Sequence, residues 1–305
     1  MTEKAYILTL VGALVFAIYN IIVKKQLPHW QGREAVFTAV VAITAGLLLV
    51  AFGAIEVDQG NRGMWWPVAA TGLLNIGILY FNTKAKSLSD VSLVVPISAG
   101  TPTIVVLTSM LILGERVTFV GWVGIMLTAI GTYLINIRDY LDKKTGRLGW
   151  RDYLAPFLAL SRDRGVRCAL WAVGLASISL NYDGLVARRA NSIGLGFGLV
   201  FLITALGNVV IATKQKEWGG CFEGGHIFRK TTGVIFAGVL YAGAVWLLSA
   251  PLQWALVPYI GTLKRLQIPM VTILAYLFLK ERVAFKSRLL GGTIMATGAA
   301  LIGLS

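Results

Sequence analysis

Long stretches without a charged side chain constrain this chain more than any other feature. Seven of them have bilayer length: Ala5–Val23, Ala35–Ile55, Gly63–Thr83, Val91–Gly114, Val117–Ile137, Ala190–Thr213 and Thr231–Leu263. A run of about 20 apolar residues spans the hydrocarbon of a membrane as an α-helix. The last stretch is long enough for one helix, a turn near Pro251 and the start of another.

Three further segments complete the set of predicted spans. Cys168–Ala187 is interrupted by Asp183, another span runs from the Pro258 region to Leu279, and Leu289–Leu304 closes the chain. Because backbone groups in lipid must be hydrogen-bonded within their own segment, the sequence predicts an all-α integral membrane protein with ten transmembrane helices. Only 14% of the residues are charged and the mean hydropathy is +0.73, whereas a soluble domain has about 25% charged residues.

The net charge of +14 is distributed over the connections between the predicted helices. One set of alternate connections holds 21 lysines and arginines, and the opposite set with the N-terminus holds 5. The positive-inside rule then predicts that both termini lie outside and that a basic linker, residues 138–166, is cytoplasmic. Part of this linker, DYLAPFLALSRDRG, has the pattern of a short surface helix. Charges scattered over membrane edges argue against nucleic acid as a partner.

The sequence gives little support to an enzyme or a metal site. Cys168 and Cys221 match no metal-binding or redox spacing. We find no nucleophile with an accompanying base, no cluster of metal ligands and no nucleotide-binding motif. We therefore expect no catalytic residues, no metal and no cofactor, and ATP is not the direct source of energy.

The two halves of the chain repeat each other. Leu113–Phe119 and Leu279–Phe285 share five of seven residues at a separation of 166. Glycines in the spans that follow match at a separation of 167, Gly124 with Gly291 and Gly131 with Gly298. The pattern predicts two five-helix repeats, residues 1–137 and 167–305, and an odd number of spans inserts the second repeat upside down. Inverted repeats are typical of secondary transporters, whose substrate site lies near the midplane where the halves meet.

Prolines and glycines interrupt the fourth and ninth predicted spans at corresponding places. The interrupting residues are Pro96, Gly100 and Pro102 in the fourth span and Pro258, Gly261 and Pro269 in the ninth. Interrupted helices in matching positions of two repeats indicate a transporter site, because freed backbone groups are tolerated only where protein or a cavity satisfies them. The acids in the repeated turns, Glu115 and Glu281, are expected to cap the turns of their own hairpins.

These residues together resemble the drug/metabolite transporter superfamily in its ten-helix EamA-type form. The resemblance covers nearly the whole chain and is carried by DVSLVVPISAGTP with LGERVTF in the first half, and by VPYIGTLKRLQIP with LKERVAF in the second. It implies an exporter of metabolites, amino acids or drugs, expected in a bacterial inner membrane as a monomer or homodimer among membrane lipids. Many members have cytoplasmic termini, opposite to the orientation that the charge count predicts here.

A lysine and an arginine, Lys264 and Arg265, stand side by side near the middle of the ninth predicted span. A charged side chain at the centre of a membrane helix costs about 2.5–3.5 kcal/mol on insertion scales. Asp183 is the other expected intramembrane ionisable group, and one acid cannot neutralise two cations. Intramembrane charges usually line a pathway, so the surplus positive charge beside Tyr259 favours an anionic substrate, although both cations could instead serve packing alone. The related sugar-phosphate carriers hold phosphate with a similar pair, which the resemblance extends to Lys264 and Arg265.

Asp183 has two open interpretations. It is either a proton-coupling carboxylate or the static counter-ion of the ninth span. Polar and aromatic residues inside other spans are further candidates for substrate contact, although such residues more often join helices. These candidates are Tyr182, Asn20, Asn75, Tyr241 and Trp246.

Three functional hypotheses remain. The leading one is a secondary active transporter, an exporter of a small organic anion, that works by alternating access of the two halves. The second is an exporter of amino acids, amphipathic drugs or cations that uses Asp183 as its principal site. The third, an intramembrane enzyme or assembly partner, has the least support. The charge of the ligand distinguishes the first two.

Overall fold

The computed structural model describes residues 1–30, 32–55, 63–89, 95–142, 149–158, 162–219, 227–279 and 285–305. Over these ranges the chain is all-α and contains no strand. The helices are α1 (Glu3–Gln26), α2 (Glu34–Ile55), α3 (Trp65–Leu88), α4 (Thr101–Ile112), α5 (Phe119–Asp142), α6 (Trp150–Tyr153), α7 (Ala155–Leu158), α8 (Arg164–Arg189), α9 (Ile193–Lys214), α10 (Ile227–Ser249), α11 (Val257–Leu263), α12 (Gln267–Leu279) and α13 (Phe285–Leu304). Turns of 3₁₀-helix cover Leu27–Trp30, Val95–Gly100, Ala250–Gln253 and Lys264–Leu266.

Six helices in the described ranges have the length and hydropathy needed to cross a membrane. Their membrane segments are Glu3–Val23, Glu34–Gly53, Phe119–Ile137, Arg164–Arg189, Ile193–Lys214 and Thr231–Gln253. Large apolar side chains on the outer surface, such as Leu111 and Phe119, are more than four-fifths exposed, as expected where lipid replaces water. The chain is therefore an all-α integral membrane protein, whereas the count of ten spans stays a prediction.

One local feature agrees with the prediction from the sequence, and another differs from it. The turn expected near Pro251 is present, because α10 ends at Ser249, a 3₁₀ turn covers Ala250–Gln253, and α11 begins at Val257. The surface helix expected in the basic linker is interrupted at Leu154. The described part of that segment forms two short helices, α6 and α7, and Pro156 stands in the first turn of α7, where its missing N–H costs nothing.

The chain divides into two compact units, each assembled from distant parts of the sequence. The first unit contains residues 1–6, 77–181 and 254–305, and the second contains residues 7–76 and 182–253. Each unit therefore takes helices from both predicted repeats. The repeat boundaries proposed from the sequence, 1–137, 138–166 and 167–305, stay predictions.

In the first unit, α5 and α13 approach each other along a seam of glycines. A Cβ atom on Gly131 would lie 2.6 Å from the carbonyl oxygen of Gly291, and one on Gly298 would lie 2.5 Å from that of Gly124. Both distances are shorter than real Cβ contacts, so only glycine fits at these positions. Small residues let membrane helices pack backbone to backbone, and here Thr132 adds a hydroxyl donor to the sulfur of Met295 at 3.6 Å.

The second unit repeats this construction with α2 and α9. A Cβ atom on Gly198 would lie 2.9 Å from the carbonyl oxygen of Gly46, and Gly53 meets Gly194 equally closely. The start of α2 is capped from the end of α9, because the carboxylate of Glu217 accepts the N–H groups of two α2 residues. The acceptor distances are 2.8 Å to Ala35 and 3.3 Å to Val36.

Candidate functional site

Lys264 and Arg265 lie where the ninth predicted helix changes from α-helix to a 3₁₀ turn. A 3₁₀ turn, Lys264–Leu266, separates α11 from α12. Pro269 explains the change, since it has no N–H to bond the carbonyl of Arg265 as an α-helix would require; the N–H of Gln267 bonds back to the carbonyls of Lys264 and Arg265 instead. A 3₁₀ stretch inside a helix often marks a functional hinge.

The start of α11 is held by an acid from the first half of the chain. Oε2 of Glu115, a buried residue, accepts the N–H of Val257 at 2.9 Å. Gly114 precedes this acid with φ +68°, a conformation that glycine adopts at no steric cost. Capping of its own hairpin by Glu115 stays a prediction; the bond to Val257 caps the start of α11, because a free helix N-terminus offers donors and a favourable dipole. The matching acid Glu281 lies outside the described residues.

Tyr259 is fixed by contacts within the first unit. Only 3% of the residue is exposed, and its hydroxyl accepts the N–H of Thr118 at 3.2 Å. A Cβ atom on Gly121 would lie 2.2 Å from this hydroxyl, so the phenol rests against the bare backbone of α5. The Tyr259 hydroxyl therefore fastens α11 to the beginning of α5, and a substrate contact by Tyr259 stays a prediction.

Lys264 and Arg265 differ in their surroundings. Both are partly buried. Lys264 interacts with other groups of the protein. The guanidinium of Arg265 has no hydrogen-bond or ion-pair partner among the described residues. Adjacent residues of a 3₁₀ turn point about 120° apart, because it has about 3 residues per turn, so the two cations have separate environments.

Near this turn, α8 brings a polar residue of its own into the first unit. Nδ2 of Asn181, which is fully buried, donates to the hydroxyl of Thr108 at 2.7 Å and to the carbonyl of Ser177 at 2.8 Å. Its Oδ1 has no hydrogen-bond partner in the described part of the chain. On the same helix Leu180 contacts Gly261, where a Cβ would lie 2.5 Å from the leucine side chain. A buried acceptor without a donor indicates room for a water or ligand group.

Asp183 belongs to the second unit and has a definite partner. The hydroxyl of Thr71, a fully buried residue of α3, donates to Oδ1 of Asp183 at 2.6 Å. The carboxylate also interacts electrostatically with Tyr241. Sequence reasoning missed Thr71, because an uncharged threonine inside a membrane helix usually bonds its own backbone and gives no distinguishing signal.

Aromatic rings from α1, α9 and α10 gather beside Tyr241. The ring centroids are 4.9 Å apart for Tyr19 and Tyr241, 5.1 Å for Phe201 and Tyr241, and 5.4 Å for Phe16 and Tyr19. We call these four residues the aromatic cluster. Asn20, its neighbour in sequence, donates from Nδ2 to the carbonyl of Phe16 at 2.7 Å.

The remaining candidates from the sequence have other surroundings. Tyr182 meets Trp66 edge to face at 5.4 Å between ring centroids, and the guanidinium of Arg189 lies over the same indole. Trp246 is 40% exposed and lines an apolar groove of about 660 Å³ in the second unit. Asn75 is partly buried and interacts with other groups.

Three comparisons place the chain among known proteins. Residues 3–137 match the model of the EamA-like transporter family. A solved crystal structure resembles this fold with a TM-score of 0.72 and 17% identity, over 100% of this chain and 98% of its own; at that identity the likeness shows the fold alone. The comparison with curated proteins found no match. The first part of this membrane-spanning chain, residues 3–137, is therefore similar to the EamA-like transporter family.

Proposed function

We propose that this protein is a secondary active transporter that exports a small organic anion bearing a carboxylate or phosphate. The observation that carries the proposal is Arg265, a partly buried guanidinium on a 3₁₀ turn, with no ion-pair partner among the described residues. Leaving a charge in a membrane helix costs about 2.5–3.5 kcal/mol. Function gives a reason to retain that cost, because a bound anion supplies the missing partner.

The chemistry of arginine narrows the ligand class. Its planar guanidinium offers parallel N–H donors that match the two oxygens of a carboxylate or phosphate. Lysine presents a compact point charge and lacks this fork. We therefore assign Arg265 to recognition of the anion, and Lys264 to balancing charge within the protein. Tyr259 fastens the adjoining helix α11 to the beginning of α5, and Leu180 of α8 contacts Gly261 of α11.

We further propose that the transport machinery consists of ten spans in two inverted five-helix repeats. The glycine seam of the first unit supports this symmetry. The repeat equates Gly124 with Gly291 and Gly131 with Gly298, while the contacts join Gly124 to Gly298 and Gly131 to Gly291. Gly124 thus meets the equivalent of Gly131, and Gly131 meets the equivalent of Gly124. This reciprocal pattern is the signature of a two-fold axis that relates the repeats. Alternating access by rocking of inverted repeats then requires no ATP.

Asp183 is our candidate for coupling. Its Oδ1 accepts a hydrogen bond from Thr71 of α3, which ties the carboxylate to a second helix. Coupling to a proton gradient suits the bacterial inner membrane that we propose as the location, with no cofactor and with a monomer or homodimer as the working form.

One observation favours a second candidate function. The aromatic cluster lies close enough to Asp183 for Tyr241 to interact with the carboxylate. Aromatic faces and a carboxylate together suit a cation, since cations are attracted to ring faces. The second candidate is therefore export of amino acids, amphipathic drugs or other cations, with Asp183 as the principal site.

The test is thermal stability of the purified protein against phosphorylated, carboxylated, neutral and cationic metabolites. A ligand at 100 times its Kd stabilises by about 2.7 kcal/mol. We expect anions to stabilise the wild type, Arg265→Lys to lose most of that response, and Arg265→Ala to lose all of it. Uptake of the same anion into proteoliposomes then measures transport. Stabilisation by cations alone, retained in Arg265→Ala and lost in Asp183→Asn, would replace this proposal with the second candidate.

A further inference from the structure

A cavity of about 430 Å³ opens where the end of α3 meets the start of α8 in the first unit. Its lining combines two kinds of side chain. Three are cationic, namely Lys84, Arg164 and Arg167, and three are large and apolar, namely Phe81, Leu88 and Trp171. Cavities of about 300–1,000 Å³ are typical of small-molecule sites, and this one lies on the side of the membrane that the charge count predicts to be cytoplasmic.

The backbone around this cavity is built to hold the cations in place. The hydroxyl of Ser89 donates to Oδ1 of Asp163, and the same oxygen accepts the N–H of Val166 at 3.0 Å. A Cβ atom on Gly165 would lie 2.7 Å from the carbonyl oxygen of Ala85, so α8 begins directly against the end of α3. Val166 and Ala85 are fully buried. The two helix ends therefore form one rigid corner.

Among the described residues, cations outnumber acids at this corner. Arg164 and Arg167 are exposed, and neither guanidinium has a hydrogen-bond or ion-pair partner within the described residues. The nearby carboxylate of Asp163 attracts Arg167 electrostatically but bonds Ser89 and Val166. Lys84 is exposed and donates to the hydroxyl of Tyr80 at 2.9 Å. In the described part of the chain, three cations therefore lie near one carboxylate that is already engaged.

The apolar part of the lining distinguishes a lipid from a soluble anion. In the lining, Trp171 is 63% exposed and Leu88 is 49% exposed. Leu170, which precedes Trp171 in the sequence, is 44% exposed. Leu170 and Trp171 extend this apolar lining along the exposed surface of α8. Tryptophan is enriched at the level of lipid headgroups because its ring is amphipathic. A soluble phosphate would use the cations and leave this apolar surface without an occupant.

We propose that this cavity binds one anionic phospholipid of the surrounding leaflet. Its phosphate lies among Lys84, Arg164 and Arg167, and its acyl chains lie along Leu88, Leu170 and Trp171. Basic pockets between membrane helices on the cytoplasmic side bind anionic headgroups for the same electrostatic reason. The site does not include the Lys264–Arg265 turn, and its test does not depend on the transport proposal.

Cys168 gives the experiment a reporter, because its thiol lines the cavity and is partly exposed. We would measure the rate of its modification by N-ethylmaleimide in a Cys221→Ser background, in neutral detergent with added lipid. Phosphatidylglycerol is expected to slow the modification, whereas phosphatidylcholine and soluble glycerol phosphate are not. Native mass spectrometry of the same samples gives the affinity for each lipid.

Charge variants test the assignment of the phosphate. Each basic side chain near an anionic headgroup contributes about 1 kcal/mol of binding free energy. Arg164→Gln/Arg167→Gln should therefore weaken phosphatidylglycerol binding about 25-fold. Arg162→Gln/Lys214→Gln removes two exposed cations outside the lining and should leave binding unchanged, and Arg164→Lys/Arg167→Lys should retain most of it. Equal binding of both lipids, equal loss in the two glutamine pairs, or protection by glycerol phosphate alone would overturn the proposal.

Discussion

The glycine seam between α5 and α13 makes a quantitative prediction. In Gly131→Ala the new Cβ would lie 2.6 Å from the carbonyl oxygen of Gly291 and 2.9 Å from the backbone nitrogen of Met295. Backbone atoms cannot rotate away, so the helices must separate. Overpacking of this kind costs about 1–3 kcal/mol. Alanine also raises intrinsic helix propensity, so the cost is best measured against an alanine placed in open space.

The chain offers matched controls for this measurement. Gly174 in α8 and Gly243 in α10 are helical glycines with no atom within 4 Å of an added Cβ. Their alanine variants share the gain in propensity without the clash. We expect Gly131→Ala to melt below Gly174→Ala by about 2–12 °C, from 2–4 °C per kcal/mol in proteins of comparable size.

Thermal unfolding of the purified variants in one detergent provides the assay. The double variant Gly131→Ala/Gly291→Ala should cost less than the two single variants together, because the first substitution already opens the seam for the second. Coincident melting curves for Gly131→Ala and Gly174→Ala would refute the close approach of α5 and α13, and with it the support that the seam lends to a two-fold repeat.

Three further predictions concern single side chains. Glu115→Gln weakens the acceptor for the N–H of Val257 and should lower the free energy of unfolding by about 1 kcal/mol in chemical denaturation; an unchanged midpoint would contradict the cap. Tyr259→Phe leaves the N–H of Thr118 without its acceptor, which should cost about 1–3 kcal/mol in the same assay. The hydrogen bond from Ser89 holds the pKa of Asp163 below its usual value. The stability that ionised Asp163 contributes to the fold is therefore complete above about pH 4 and disappears as the pH falls through the lowered pKa. Asp163→Asn should therefore flatten the acid side of the stability curve, and parallel curves would count against this role.

The sequence correctly predicted an all-α membrane protein, whereas the two repeats stay a prediction. Charge-free runs are read directly, because a membrane excludes charge from about 20 residues at a time. The break at Pro269 was equally visible, since proline cannot donate to the helix ladder. A single sequence could not show which distant helices pack against each other. The repeat equated Gly124 with Gly291, yet nothing in a single sequence says that Gly124 lies against Gly298.

Small neutral groups were also beyond prediction. Thr71 bonds Asp183 in the second unit, but a threonine inside a membrane helix has the same local pattern whether it bonds a carboxylate or its own backbone. Glu115 was expected to act locally, and the structure shows its carboxylate accepting the N–H of Val257, which lies in the other half of the chain. Short-range rules find a capping acid; which helix end it reaches is decided by tertiary packing.

The pairing of α5 with α13 has a consequence for biosynthesis. During translation α5 enters the membrane with its glycine face complete, but the helix that covers this face, α13, is made only after α12. Until α13 arrives, lipid must fill a groove whose walls are shaped for another backbone, and the start of α11 is likewise absent when its capping acid emerges. The glycine face of α5 therefore stays uncovered in the nascent chain until α13 is inserted. In a chain truncated before α13, this face remains accessible to other membrane helices.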